Sequence, residues 1–152
     1  LNAENGQAAS LPPLVVIGAR REGVVPEGRP PSNWIYAGRQ SDAALLYCYR
    51  RARGLLFPSR YEGFGLPVLE AMSTGCPVVC SPVARLPEIG GDAVLYADQP
   101  ASDYDKAMRK LLGDDLLRRD LIDRGLQRAG QFSWRTCAEQ TVSIYRQMLD
   151  HA

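Results

Sequence analysis

A chain of 152 residues is the size of one domain and falls short of a typical two-domain enzyme. Its 45% apolar and 23% charged residues suit an ordinary globular protein with one core, and a formal charge of +1 gives no reason to expect a nucleic acid or an anionic membrane as partner. Arginine carries nearly all the positive charge and reads as a solvated surface, except that a guanidinium near a glycine-rich loop could fork onto phosphate.

The cysteines, Cys48, Cys76, Cys80 and Cys137, form no CxxC pair, and the one histidine, His151, sits beside the end of the sequence. Ligand number and spacing argue against structural zinc and for buried free thiols in a reducing compartment. No signal peptide opens the sequence, and no apolar run approaches the roughly 18 residues of a membrane-crossing helix. The expected location is the cytoplasm, or the cytoplasmic face of a membrane as a peripheral protein. A start on Leu1, without methionine and within a polar stretch, reads as a piece of something longer.

In chain order, residues 1–12 are a polar leading segment, and "LPPLVVIGA" follows as a short β-branched run, read as a buried strand stopped by glycine. "RREGVVPEGRPPSN" is a loop by its glycines and prolines, and "WIYAG" is a second strand. Ser41 and Asp42 cap and charge the helix "SDAALLYCYRRA", whose apolar face is Leu45, Leu46, Tyr49 and Ala52. "GLLFPS" is a strand leading into the loop "RYEGFG", after which a helix starts at Pro67 and stops at Gly75. "PVVCS" and "AVLYA" are strands on either side of the short turn or single helical turn "LPEIGG". Two helices occupy Ser102 to Gly130. A last one runs from Ser133 to about Leu149, with Ser133 as N-cap and Phe132 and Cys137 as a hydrophobic staple. Strands alternating with helices predict an α/β fold, a Rossmann-like parallel sheet with helices on both faces.

Ligands of open parallel sheets bind beyond the carboxyl ends of the strands, where "RYEGFG" lies. Gly63 and Gly65 let backbone N–H groups approach a ligand closely, and the helix behind them adds unsatisfied donors and the positive end of its dipole, an arrangement suited to a diphosphate. Chemistry alone leaves anion binding and a merely tight turn both open.

Glu62 precedes this loop, and Glu70 stands eight residues later, about one turn into the helix. A carboxylate beside a phosphate is unfavourable unless it contacts another part of the ligand, and sugar hydroxyls are the natural partner. Two carboxylates flanking a diphosphate loop match the order sugar, diphosphate, ribose of a nucleotide sugar. Taken singly, Glu62 also reads as an exposed surface residue and Glu70 as a dipole partner in the first turn.

"FPSRYEGFGLPVLEAMSTGCPVVCS", with its E-x7-E motif, and the later "LPEIGGDAVLYA" and "RAGQFSW" resemble the C-terminal half of a retaining glycosyltransferase of family 4, or group 1. The resemblance covers about Leu14 to Leu149. It implies the GT-B fold, two Rossmann-like domains facing across a cleft. Residues 13–132 would be the nucleotide-sugar-binding domain without its family N-terminal strand, and residues 133–152 a helix crossing toward an N-terminal domain that this sequence does not contain.

Carried over, Glu62 faces the donor sugar as the catalytic position, and Gly63, Phe64, Gly65 and Leu66 line the sugar and diphosphate. Glu70 accepts hydrogen bonds from the ribose, and Ala37, Gly38, Arg39 and Gln40 border the nucleobase. The Phe64 ring is either a prop beneath the loop or a ligand contact. The implied reaction transfers a sugar from a nucleoside diphosphate sugar to a hydroxyl of a saccharide, lipid or small-molecule acceptor, with retention, without a metal or other cofactor, and on one face of the sugar rather than through a Glu62 nucleophile.

The sequence begins too late to hold the arginine and lysine with which the family neutralises the diphosphate. Ala19, Ala84 and Arg85 also stand where glycines are frequent. The chain alone is therefore expected to be an inactive donor-binding part, with self-association through the last helix. The alternative from another class is a noncatalytic nucleotide-sugar-binding or protein-interaction module.

Overall fold

The computed structural model describes residues 11–18 and 32–150. Most of the polar leading segment, Ala19, most of the proline-rich loop and His151 lie outside the described residues.

The chain divides into two compact units, Leu1–Leu45 and Leu46–Ala152. In the first, β1 (Leu14–Ile17) pairs in parallel with β2 (Trp34–Gly38), with Leu14 opposite Trp34 and Val16 opposite Tyr36. The register slips by one residue after Val16, so Ile17 faces Gly38. The expectation of β1 as a buried strand is corrected here: Val15 is 49% exposed and the other residues of β1 are half-buried. Two short strands form too small a sheet to cover both of its own faces. α1 (Asp42–Arg51) begins at the end of this unit and is capped by Ser41, whose Oγ accepts from the Ala44 amide at 3.3 Å. No residue of α1 is fully buried.

The second unit is the Rossmann-like body. β3 (Leu55–Phe57), β4 (Val78–Cys80) and β5 (Leu95–Tyr96) form a parallel sheet in that order, so the loops after them share the carboxyl edge. Side-chain alternation along β4 divides the core. Val78 and Cys80 point to the layer of α2 (Leu66–Ser73) and α3 (Leu86–Gly90), packed with Val68, Met72, Leu86 and Ile89. Val79 points the other way, toward Tyr104 and Leu111 of α4 (Ala101–Gly113) and Leu121 of α5 (Asp115–Ala129). α5 serves both layers: Leu121 belongs to one and Ala129 to the other. Gly125 lets it lie against α2, since a Cβ there would meet the Met72 side chain at 3.4 Å.

Local chemistry explains the ends of these elements. α2 closes in a Schellman turn, with Cys76 N–H donating to the Ala71 carbonyl at 2.9 Å, Gly75 N–H to Met72 at 3.1 Å, and Gly75 at φ 77°. Asp114 caps α5 by accepting from the Leu117 amide at 2.9 Å. Ser133 caps α6 (Trp134–Asp150) by accepting from Thr136 at 3.0 Å. Phe132 packs against the core, where the Arg128 guanidinium stacks over its ring at 5.2 Å. Cys137, expected as its staple partner and as a buried thiol, is exposed. The side chains of residues 134–149 are exposed throughout, because no other described element covers α6. Cys48 is half-buried, which leaves Cys76 and Cys80 as the buried thiols among these four.

Candidate functional site

The loop after β3 leaves the carboxyl edge of the sheet at Pro58. Ser59 Oγ donates to the Tyr61 carbonyl at 2.7 Å and folds the chain back toward Glu62. Gly65 then takes φ 102°, a conformation closed to ordinary residues, and becomes the N-cap of α2. Its carbonyl accepts from Val68 N–H at 3.0 Å and Leu69 N–H at 3.2 Å, which closes the first turn. Gly65 also needs its lack of a side chain for space, because a Cβ would lie 2.6 Å from Leu86 Cδ2. Leu86 itself is fully buried at the start of α3. The loop after β4 thus fixes the loop after β3.

Gly63 has nothing within 4 Å of where its Cβ would stand, so its face toward solvent is open. Among the described residues, none accepts a hydrogen bond from the amides of Gly63, Phe64, Gly65 or Leu66. Four successive free donors end at a helix start, the arrangement that binds anions. α2 begins at Leu66, one residue before the expected Pro67.

The same shift bears on Glu70. It is the fifth residue of α2, beyond the first turn, so a dipole-partner role is corrected: the helix dipole falls off within that turn. Its carboxylate is exposed, and Oε2 accepts from the Tyr49 hydroxyl at 3.3 Å. Burial and the neighbouring Glu70 carboxylate push the Tyr49 hydroxyl up to about 12, which keeps its proton available as a donor. Glu62 is half-buried rather than exposed, with its Cγ 4.0 Å from the position a Gly65 Cβ would take. Among the described residues none pairs with the Glu62 carboxylate. Phe64 meets Phe132 edge to face, with ring centroids 6.3 Å apart, and remains 45% exposed. It braces the loop and still presents ring surface outward.

One body therefore holds Glu62, Gly63, Phe64, Gly65, Leu66 and Glu70. Ala37, Gly38, Arg39 and Gln40 belong to the other unit, where Gly38 at φ 67° ends β2 and Gln40 Nε2 donates to the Ala37 carbonyl at 2.6 Å. Arg128, the guanidinium that stacks on Phe132, is occupied by the carbonyls of Glu88 and Ile89 and by Gln131, so it clamps α3 to α5. Sequence reasoning missed Tyr49 and Leu86 as supports of the site. Tyr49 was legible only as part of an apolar helix face, and for Leu86 no local signal existed.

The family of glycosyl transferases group 1 matches residues 14–128. The chain belongs to this family. Similar proteins include the O-antigen chain mannosyltransferase B of Escherichia coli, 50% identical over 115 residues that cover 74% of this chain and 30% of the relative. The MMP alpha-(1->4)-mannosyltransferase of Mycolicibacterium hassiacum is 36% identical over 114 residues, 72% of this chain and 28% of the relative. Among solved structures, sucrose-phosphate synthase of Thermosynechococcus elongatus matches with a TM-score of 0.70 and 31% identity, over 79% of this chain and 31% of that one. The fold is thus that of the C-terminal domain of a GT-B glycosyltransferase, related to mannosyltransferases. The match spans less than a third of the length of these two relatives.

Proposed function

We propose that this chain is the donor-binding half of an enzyme that transfers a sugar from a nucleoside diphosphate sugar to an acceptor hydroxyl, with retention at the anomeric carbon. The observation that carries the reading is the row of free amides from Gly63 to Leu66 at the start of α2, with the exposed Glu70 carboxylate one turn behind it. Glu70 accepts from the two ribose hydroxyls. The amides and the helix N-terminus stabilise the charge that builds on the diphosphate as the glycosidic bond breaks. Glu62, half-buried and without a partner among the described residues, orients the transferred sugar through its hydroxyls.

Both relatives are mannosyltransferases by name, which supports mannose as the sugar transferred. The acceptor is a saccharide, a lipid or a small molecule bound mainly by an N-terminal domain. The transfer runs without a metal or other cofactor.

Calorimetry on the intact protein separates the two carboxylates. Glu70→Ala should weaken binding of the sugar-free nucleoside diphosphate by about 1–3 kcal/mol, the worth of charge-assisted hydrogen bonds. Glu62→Ala should spare that affinity and cost turnover instead, since it acts on the reacting sugar. Unchanged nucleotide affinity in a folded Glu70→Ala variant would remove the ribose assignment.

A further inference from the structure

Tyr49 and Glu70 are 21 residues apart and meet because α1 passes beside α2. The Tyr49 ring packs against the core layer of Met72 and Val78, which anchors it, while its hydroxyl reaches outward to Glu70 Oε2. Glu70 otherwise projects from an exposed helix position, where a free glutamate side chain samples several rotamers. A phenol on a fixed ring is a rigid donor, and a carboxylate that receives one hydrogen bond on Oε2 still has Oε1 and the second lone pair of Oε2 for a diol.

We infer that Tyr49 is a positioning residue for donor binding: its hydroxyl holds the Glu70 carboxylate in the rotamer that receives the ribose hydroxyls of the nucleoside diphosphate. The inference rests on the ribose role proposed for Glu70. It concerns pre-organisation rather than contact, since Tyr49 acts on the ligand through Glu70. A carboxylate already held in its binding rotamer gives up less freedom when the ligand arrives, and the benefit appears as affinity.

The test uses the intact protein, with Tyr49→Phe, Glu70→Gln and the double variant titrated with a ribonucleoside diphosphate and with its 2′,3′-dideoxy counterpart. Tyr49→Phe keeps the ring and its packing, so the thermal transition should stay in place. Its affinity for the ribonucleotide should fall about fivefold, the equivalent of one ordinary hydrogen bond. The loss should vanish for the dideoxy nucleotide and in the Glu70→Gln background. An equal loss for both nucleotides would mean a general loosening of the loop and would overturn the inference, as would an unchanged ribonucleotide affinity. If Glu70→Gln itself leaves ribonucleotide affinity intact, the ribose role of Glu70 falls, and Tyr49 falls with it. If Glu70→Gln weakens binding and Tyr49→Phe does not, only the positioning role is lost.

Discussion

Ala84 holds φ 49°, the left-handed region, in the turn between β4 and α3. An L-residue there is strained by about 1–2 kcal/mol because its Cβ crowds the following carbonyl. Glycine relieves the crowding and loses more entropy on folding, so Ala84→Gly should stabilise the protein by a net ~0.5–1 kcal/mol. Urea unfolding should show a higher midpoint with an unchanged slope.

The thiols give a second prediction at this scale. Burial raises Cys76 to about 11 and Cys80 to about 12, from the ordinary 9.0. Only the thiolate is nucleophilic, so an alkylating reagent near neutral pH should label exposed Cys137 in the native protein and reach Cys76 and Cys80 only on unfolding. The raised values also set a pH window. The fold retains thiol protons that the unfolded chain releases above pH 9.0, so this stability is complete below pH 9 and is lost as pH rises through 11 to 12. Tyr49 and Tyr96, each raised from 10.0 to about 12, join the decline above pH 10. Urea midpoints measured across this range should fall steadily, and a flat profile would contradict the retention of the protons.

Among the elements, α2 and α6 stand at opposite extremes. α2 buries Val68, Ala71 and Met72, is capped by Gly65 in the left-handed region, and is closed by a Schellman turn. α6 is the longest helix described, 17 residues, yet its side chains from 134 to 149 are exposed, including Trp134 at 79% and Leu149 at 76%. A helix of this length without tertiary cover is marginal in water. In the 152-residue chain by itself, amide hydrogen exchange should therefore be fast along α6 and slow in α2 and β4, and Ser133→Ala should speed it further by removing the cap. Slow exchange along α6 in monomeric protein would mean that the helix is packed where the structure leaves it bare.

For the molecule as a whole, donor binding and transfer should separate. Under the proposed function the 152-residue chain is the donor-binding half, holding the amide row and both carboxylates, while the acceptor is bound mainly by an N-terminal domain. The chain alone is expected to show no sugar transfer over a panel of nucleotide sugars and acceptors, while an intact protein with both domains is active. Transfer by the chain alone at a rate near that of the intact protein would place every needed cation within these residues. Among the described residues no helix is long and apolar enough to cross a membrane.

The order of strands and helices, the glycine loop and the E-x7-E spacing were all legible in the sequence, because each is written locally. Short apolar, β-branched runs mark strands, Ser41 and Ser133 mark helix starts, Gly75 marks a helix end, and strands alternating with helices, with the group 1 resemblance, carried the fold. Ala84 was already set apart as standing where glycine is frequent, and the structure supplies the reason in its φ of 49°. What the sequence could not hold were contacts between distant residues. Tyr49 reads as one more apolar position until α1 is packed beside α2 and its hydroxyl meets Glu70. Leu86 reads only as the start of a short turn until its side chain is found where a Gly65 Cβ would have to be. Burial was decided in the same way: Val15 has the β-branched pattern of an interior strand and is 49% exposed, since burial depends on what packs against a residue and not on the residue alone.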